Sequence, residues 1–446
     1  MPLGNSSSLF SGGPTKPTDL RKSNIMTACH SGFLGIPIAV VTNPYSVMVQ
    51  TVAEGEFDNM RVGVFNADTA PVAGVKVSIS AGTTLGAANG TLGLANTGMP
   101  IGADTGFLSP TWGGQATGTL AASPQASTGI SGANIGGTNC SLTFTDWIGC
   151  TSVPRADGTS GLPVYQVILT YPAGVNRTIA QMTAGTSVGW ENEGSATVAP
   201  YNRPYRVMVS AIKDAVSNPA FMLVSNTFAA RTYTDFPPIV VQYTLRNGYG
   251  KTFIIYGDSI YEGAGASIDK LGWPKEFQNL VSKPRDPVAI CNLAVGGSGV
   301  NNWTNRIQAT ISNFSSVNII APSLSPNSLG APILPNDIVL AKRYFGANRQ
   351  KLDLVGSTMI TSTVIPSNNA VKAYGASDSY RTAWNNYIRA SGFTVADFDK
   401  VATSANVDAN GQYFLNPEDT ADGIHPSTVL YKKMANYFLN EVYKAL

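Results

Sequence analysis

The sequence predicts an α/β protein in which a parallel sheet, with helices on both faces, follows an all-β sandwich or jelly-roll-like domain. In the first 250 residues, short alternating apolar runs are separated by turn-rich segments, a pattern typical of antiparallel strands. From Lys251 onward, apolar strands alternate with helical segments, which favours parallel strands joined by helices. We therefore predict a β-rich accessory domain over residues 1–247 and a second domain over residues 248–446.

The β-rich half contains alternating runs at residues 60–66, 74–80, 163–171 and 204–212, without a convincing helix between them. Its charge is low, because residues 1–250 carry 12 basic and 12 acidic side chains. Residues 82–139 contain 14 glycines and one charged residue, Asp104. This composition predicts long loops with short strands.

The second half contains five apolar runs with strand character, at residues 252–256, 288–294, 317–321, 357–366 and 393–398. Helical spacing predicts helices near residues 274–281, 301–312, 336–355, 378–391 and 427–445. Gly356 is well placed to end the third of these helices. The alternation of strand and helix at these lengths predicts the parallel sheet.

Composition excludes several classes of function. The formal net charge is +2 and no basic run is present, so we expect no nucleic-acid partner. The longest apolar stretch, residues 32–41, is too short to span a bilayer, and the start of the chain lacks the pattern of a signal peptide.

The four cysteines form no CxxC pair, and we expect no metal site. Cys140 and Cys150 either form a disulfide that closes a short loop or are two buried thiols.

Candidate catalytic residues lie at the two ends of the second half. Ser259 directly follows an apolar strand, and Asp422 and His425 lie three residues apart on a loop before the last predicted helix. A serine hydroxyl needs a base to become nucleophilic, and a carboxylate can hold an imidazole in the required tautomer. The chain has only two histidines, and His30 lies in the β-rich half without a nearby acidic residue. We therefore expect His425 to be the base.

These motifs resemble those of the SGNH (GDSL) hydrolases. The resemblance rests on GDSIYEG at residues 257–263, Gly297 in NLAVGGSG and the terminal DGIHPS, and it covers about residues 251–446. It implies a flavodoxin-like three-layer α/β/α domain that hydrolyses esters. It also implies that Ser259 is the nucleophile, His425 the general base and Asp422 the carboxylate that orients the histidine.

The resemblance further implies an oxyanion hole made by the Ser259 N–H, the Gly297 N–H and an asparagine side chain. The family's Gly-x-Asn-Asp string is absent from this chain. Asn327 lies just after the third predicted strand, in the expected topological place, and is preferred. Asn348 matches the string better but falls inside a predicted helix.

Glu262 and three aromatic residues near the motifs have simpler interpretations. Glu262, three residues after Ser259, is expected to be solvated or to cap the turn rather than to act as a second catalytic carboxylate. Trp273, Trp303 and Tyr261 are expected in the core, with sugar stacking as the alternative.

The expected function is that of a serine esterase that needs no cofactor and removes O-acetyl groups from a carbohydrate. The alternatives are a short-chain lipase or general esterase, and a non-catalytic glycan-binding or structural protein of a virion or an adhesive surface. The partner would be an acylated carbohydrate or a small ester, and the expected location is extracellular or virion-associated. The sequence does not indicate the oligomeric state.

Overall fold

The computed structural model describes residues 19–29, 35–37, 41–82, 106–123, 140–154, 162–180, 207–211, 214–218, 238–266, 272–283, 285–325, 335–367, 379–402, 415–420 and 422–446. His30 and Asn327 lie outside them.

The first half is built from antiparallel strands. They are β1 (Ile25–Cys29), β2 (Gly35–Pro37), β3 (Tyr45–Val52), β4 (Phe57–Asn66), β5 (Val72–Gly82), β6 (Gly118–Leu120), β7 (Ser141–Phe144), β8 (Ile148–Gly149), β9 (Val164–Tyr171), β10 (Thr178–Ala180), β11 (Val207–Ala211) and β12 (Ile239–Leu245). One sheet has the order β1-β12-β4-β7, with β8 also paired to β4. A second sheet has the order β11-β3-β9-β5-β6, and β2 pairs with β10 separately.

The two larger sheets share a core, as in a sandwich. Val62 and Val64 of β4 lie in the same buried cluster as Val77 and Ile79 of β5. Alternate side chains of a strand point to opposite faces of its sheet, so the two-residue spacing places these valines and the isoleucine on inner faces. The alternating runs of the sequence thus correspond to sandwich strands.

The second half contains a parallel sheet. Its strands are β13 (Lys251–Ile255), β14 (Val288–Asn292), β15 (Asn318–Pro322), β16 (Thr358–Ser362) and β17 (Thr394–Ala396). Their spatial order is β14-β13-β15-β16-β17, and every neighbouring pair is parallel. Counted from β13, this is the order 2-1-3-4-5 of flavodoxin-like sheets.

Helices cover both faces of the parallel sheet. They are α1 (Ser259–Glu262), α2 (Trp273–Val281), α3 (Val300–Thr310), α4 (Pro335–Leu354), α5 (Ser379–Arg389), α6 (Phe398–Ala402) and α7 (Thr428–Tyr437). Side chains of α3, α4 and α5 join Ile254 in one buried cluster, while those of α2, α6 and α7 join Phe253 and Ile255 in another. Since successive residues of β13 face opposite sides, the sheet is the middle layer of a three-layer α/β/α arrangement.

The sandwich and the α/β half pack directly on each other. Phe65 and Leu142, on the outer face of the first sheet, belong to the same buried cluster as Ile254 and its neighbours. The rings of Phe144 and Phe314 meet edge to face with centroids 6.5 Å apart. The Asn318 side chain accepts the Arg21 N–H at 2.8 Å. The two halves therefore share one apolar core and a hydrogen bond from the backbone of the first half to a side chain of the second.

Cys140 and Cys150 are separate buried thiols. Cys140 belongs to the cluster between the sandwich and the α/β half, whereas Cys150 belongs to the core inside the sandwich. The two side chains thus lie in different cores, which excludes the disulfide alternative in this structure. Burial raises the pKa of Cys140 to about 12 and that of Cys150 to about 11.

Asp399 holds a buried ionic cluster together between α5 and α6. The Arg381 guanidinium is 1% exposed and donates to Asp399 Oδ1, and Arg389 donates to Asp399 Oδ2 at 2.7 Å. Asp399→Ala would remove the carboxylate from a buried guanidinium, so we expect it to lower the free energy of unfolding by about 3 kcal/mol, measured by urea denaturation.

Lys400→Ala is the matched control for this prediction. The Lys400 side chain is 67% exposed and contacts Asp397 at 3.4 Å. Exposed ion pairs contribute little, so the expected change is below about 0.5 kcal/mol. Equal losses in the two variants would contradict the special role of Asp399.

Within the described residues, no helix is long and apolar enough to cross a membrane.

Candidate active site

The candidate site lies at the carboxyl end of the central parallel strands. Ser259 follows β13, and the glycine-rich turn at residues 296–299 follows β14, the neighbouring strand. Ligands of open α/β sheets bind at this edge, where the strand order reverses. The order 2-1-3 reverses at β13, so Ser259 occupies the position where such a sheet forms a crevice.

A sharp turn presents Ser259 as the first residue of α1. Gly257 has φ of 152°, and a Cβ there would lie 2.8 Å from the Tyr261 side chain, so a side chain has no room. Asp258 is the N-cap of the helix, and its Oδ1 accepts the Ile260 N–H at 3.0 Å. Such a cap satisfies one of the free N–H groups at a helix start. The Ser259 N–H has no acceptor in the described part of the chain.

The loop before α7 brings an imidazole to this serine. His425 Nε2 lies 2.9 Å from Ser259 Oγ, and His425 Nδ1 lies 2.6 Å from Asp422 Oδ2. Gly265 permits the approach, since a Cβ there would lie 2.7 Å from His425 Cβ. Ser427 then caps α7 by accepting the Leu430 N–H. Nucleophile, imidazole and carboxylate are thus in one continuous chain of hydrogen bonds.

The local backbone holds the Asp422 carboxylate in its ionised form. Its Oδ1 accepts the N–H groups of Ile424 and His425, each at 2.8 Å. Partial burial raises the pKa of Asp422, but the hydrogen bonds from the His425 ring and from these two N–H groups outweigh it and lower the pKa to about 2. An ionised carboxylate beside Nδ1 keeps the ring proton on that nitrogen, which leaves Nε2 free to accept the serine proton.

Gly297 lies in the turn beside the serine. Its φ is 75°, a left-handed conformation that favours glycine, and its N–H has no acceptor among the residues described. The neighbouring Gly296 N–H, in contrast, donates to Glu262 Oε2 at 2.6 Å. The N–H groups of Ser259 and Gly297 are therefore both available to a bound oxyanion.

The predicted third donor is not placed by the structure. Asn327 lies outside the described residues. Asn348 lies in α4, is 1% exposed and donates to Thr304 Oγ1 at 2.9 Å, so it packs between two helices instead of facing the serine.

Ser325 follows β15, where the family places its asparagine, and sequence reasoning did not select it. Its Oγ donates to Asp258 Oδ2 at 2.6 Å and lies 3.1 Å from the Ser298 carbonyl oxygen. Burial raises the pKa of the Asp258 carboxyl, while the Ser325 hydroxyl lowers it. Ser325 thus ties the loop after β15 to the turn that presents Ser259. The sequence signal for this contact was its partner, Asp258. An Asp directly before a serine at a strand end is a common helix cap.

The remaining sequence expectations near the site have mixed outcomes. Trp273, Trp303 and Tyr261 are at most 3% exposed and lie in the core, as expected. Glu262 was expected to be solvated or to cap the turn. The first alternative is wrong, because Glu262 is 1% exposed beneath the nucleophile turn, where its Oε2 accepts the Gly296 N–H. In the described residues, no cluster of His, Cys, Asp and Glu has the arrangement of a metal site.

The structure adds two observations to the sequence motifs: the strand order and the Ser–His–Asp contact. Residues 251–446 resemble the SGNH hydrolases. The resemblance covers a flavodoxin-like three-layer domain, a serine after its first strand and a histidine before its last helix.

Comparison with known proteins finds similar solved structures at low sequence identity. No protein-family model and no curated protein matches the chain. A GDSL-like lipase from Bacteroides thetaiotaomicron is 17% identical, with 44% of this chain and 89% of that chain covered and a TM-score of 0.33. The acetyl xylan esterase AlAXEase is 16% identical, covering 43% of this chain and 99% of that chain with a TM-score of 0.35. A Bacillus subtilis protein, YxiM, is 12% identical, covering 95% of this chain and 90% of that chain with a TM-score of 0.35.

Proposed function

We propose that this protein is a serine esterase that works through an acyl-enzyme. The proposal rests on one observation, the hydrogen-bonded chain from Ser259 Oγ through the His425 ring to Asp422 at the carboxyl edge of the parallel sheet. A serine hydroxyl in contact with an oriented imidazole is the arrangement that acyl transfer requires.

In the first step, Ser259 Oγ attacks the ester carbonyl carbon while His425 Nε2 takes the hydroxyl proton. The carbonyl oxygen becomes an oxyanion that accepts from the N–H groups of Ser259 and Gly297. Asn327 remains a predicted third donor. Preorganised donors of this kind each contribute about 3–4 kcal/mol to the stability of the transition state.

The tetrahedral intermediate collapses as His425 returns its proton to the leaving alcohol oxygen, which gives free alcohol and an acyl ester on Ser259. Water then attacks this ester, with His425 Nε2 again taking a proton. Collapse of the second intermediate returns that proton to Ser259 and releases the carboxylic acid. None of these steps uses a metal or an organic cofactor.

We propose an O-acetylated carbohydrate as the substrate. The Asp422 and His425 side chains are 49% and 25% exposed, so the base that must protonate the leaving alcohol is open to a large hydrated group. The family includes many sugar deacetylases, and a β-sandwich beside a catalytic domain commonly binds carbohydrate, which is an analogy between folds. The charge-poor, glycine-rich first half fits a secreted or virion-associated protein, which we propose as its setting.

Acyl-chain preference tests this proposal. We expect kcat/KM for 4-nitrophenyl acetate to exceed that for the octanoate by at least about 10-fold, because a site shaped for acetyl groups excludes longer chains. Acetate release from an acetylated polysaccharide is expected in the same preparation, measured by an enzymatic acetate assay.

A Ser259→Ala variant supplies the background rate for both measurements. A higher kcat/KM for the octanoate, with no acetate released from the polysaccharide, would overturn the carbohydrate substrate and leave a general esterase.

A further inference from the structure

Glu262 is a buried carboxyl group directly beneath the nucleophile turn. It ends the four-residue helix that Ser259 begins, and it is 1% exposed. Its Oε2 accepts the Gly296 N–H at 2.6 Å, while its Oε1 has no hydrogen-bond partner in the described part of the chain. Burying a carboxyl with one unsatisfied oxygen costs stability. Packing alone therefore does not explain why a glutamate occupies this position.

The group that Glu262 holds is adjacent to the oxyanion donor. Residues 295–298 form a turn closed by the Ser298 N–H, which donates to the Val295 carbonyl oxygen at 3.1 Å. Gly296 and Gly297 are the two central residues of this turn, and Gly297 has φ of 75°. The amide held by Glu262 and the Gly297 amide belong to consecutive residues and are separated only by the Gly296 α-carbon, so fixing the first restricts the direction of the second.

We propose that Glu262 is a positioning residue for the esterase, which holds the Gly296 amide so that the Gly297 N–H points at the developing oxyanion. This role rests on the proposed esterase function. The same helix turn then carries the nucleophile at its start and the support of the oxyanion hole at its end. A shift of the nucleophile turn and a shift of the donor turn are coupled through this one side chain.

Several charged and titratable groups act on Glu262. Burial raises its pKa to about 8, the Gly296 N–H and Arg306 lower it, and Asp258 raises it. Tyr431 of α7 interacts electrostatically with Glu262. Burial raises the pKa of Tyr431, and the charges of Asp258, Glu262 and Asp422 raise it further. Glu262 is therefore neutral near pH 7 and becomes a buried anion as the pH rises through about 8. An anion beside the donor turn disfavours a second negative charge on the substrate oxygen, so kcat should fall in this range.

The test compares Glu262→Ala and Glu262→Gln with Glu441→Ala, a control at an exposed glutamate of the C-terminal segment. Glu262→Ala removes the acceptor and should lower kcat for 4-nitrophenyl acetate about 10- to 100-fold, with KM within about 3-fold of the wild type. Glu262→Gln keeps a neutral acceptor and should retain kcat within about 3-fold at pH 7, without the decline of kcat above pH 8. The control should match the wild type throughout.

Hydrogen exchange of the peptide that contains residues 293–299 gives a readout independent of activity. It should quicken in Glu262→Ala and stay unchanged in Glu262→Gln, because only the first loses the acceptor for the Gly296 N–H. If Glu262→Ala does not fold, the pH profile and the exchange of Glu262→Gln carry the test.

The outcomes separate this proposal from the function on which it rests. Wild-type kcat in Glu262→Ala, with Ser259→Ala inactive, overturns the role of Glu262 and leaves the esterase intact. Equal losses in the alanine and glutamine variants also overturn it, since the acceptor is then not what matters. A wild type that neither hydrolyses esters nor reacts with a fluorophosphonate overturns the esterase, and with it any oxyanion hole for Glu262 to support.

Discussion

Ser259→Ala is expected to lower kcat for 4-nitrophenyl acetate by at least about 10⁴-fold, with far-UV circular dichroism and melting temperature unchanged. The hydroxyl is the atom that attacks in the proposed mechanism, and its Oγ lies 2.9 Å from His425 Nε2. Its removal leaves only the oxyanion donors and substrate binding, which supply a small share of the rate. Ester hydrolysis followed at 405 nm measures the loss.

Ser391→Ala is the matched control, since Ser391 lies in the turn after α5 and its Oγ donates to the Ile388 carbonyl oxygen. A fluorophosphonate probe adds a second measurement: it should label the wild type and the control at one site and leave Ser259→Ala unlabelled. Full activity in Ser259→Ala would refute the esterase mechanism. Absence of labelling in a folded wild type would favour a protein that binds glycan without hydrolysing it.

Asp422→Asn is expected to lower kcat by about 10³- to 10⁴-fold while the fold and KM stay close to those of the wild type. The carboxylate accepts from His425 Nδ1 at 2.6 Å and keeps the ring proton on that nitrogen. An amide carries no charge, so it neither stabilises the imidazolium formed during attack nor enforces the tautomer that exposes Nε2.

Glu418→Gln is the control for Asp422→Asn, because Glu418 lies in the same loop, its side chain is 69% exposed, and it forms an ion pair with Lys433 at 3.7 Å, away from His425. The pH profile gives a further check. Since the pKa of Asp422 is lowered to about 2, the carboxylate is ionised at every pH above about 3, and it adds no step to the acid limb of the wild-type profile in that range. A kcat of Asp422→Asn within 10-fold of the wild type would contradict the orienting role.

The alternation of apolar residues was enough to predict the architecture of both halves. The runs at residues 252–256 and 317–321 correspond to strands Lys251–Ile255 and Asn318–Pro322, because continuous apolar stretches of this length are typical of strands buried on both faces. The helix predicted at residues 336–355 is Pro335–Leu354, and Gly356 follows it with φ of 66°. These elements are determined by local pattern, which a sequence displays.

Elements that depend on partners distant in the chain were predicted less well. The run at residues 393–398 forms a strand only over Thr394–Ala396, after which Phe398 begins a short helix whose Asp399 pairs with Arg381. The last predicted helix, residues 427–445, is α-helical only as far as Tyr437 and continues as the π-helical segment Phe438–Val442. Each departure follows from contacts between elements, which periodicity within one segment does not reveal.

The residues of the candidate site also divide into those that a local motif predicts and those that depend on contacts between distant segments. Ser259, Asp422 and His425 were selected from two short motifs, and the structure brings their side chains into contact. The supports of Ser259 and Gly297 were not identified from the sequence. Ser325 was not selected, and Glu262 was expected to be solvated or to cap the turn, whereas it is buried and accepts the Gly296 N–H. Both act across strands, Ser325 on Asp258 and Glu262 on Gly296, so only the assembled sheet shows them.

The apolar core that the sandwich shares with the α/β half has a consequence for how a long substrate would be presented. Modules joined by a flexible linker sample many orientations, whereas Phe65 and Leu142 are buried in the same cluster as Ile254 of the parallel sheet. The shared core is therefore expected to keep the two halves in a fixed relative orientation. Under the proposed function, a polysaccharide bound to the sandwich would meet Ser259 at a set distance and angle, so the spacing of its ester groups along the chain, and not only their chemistry, would decide which of them is hydrolysed.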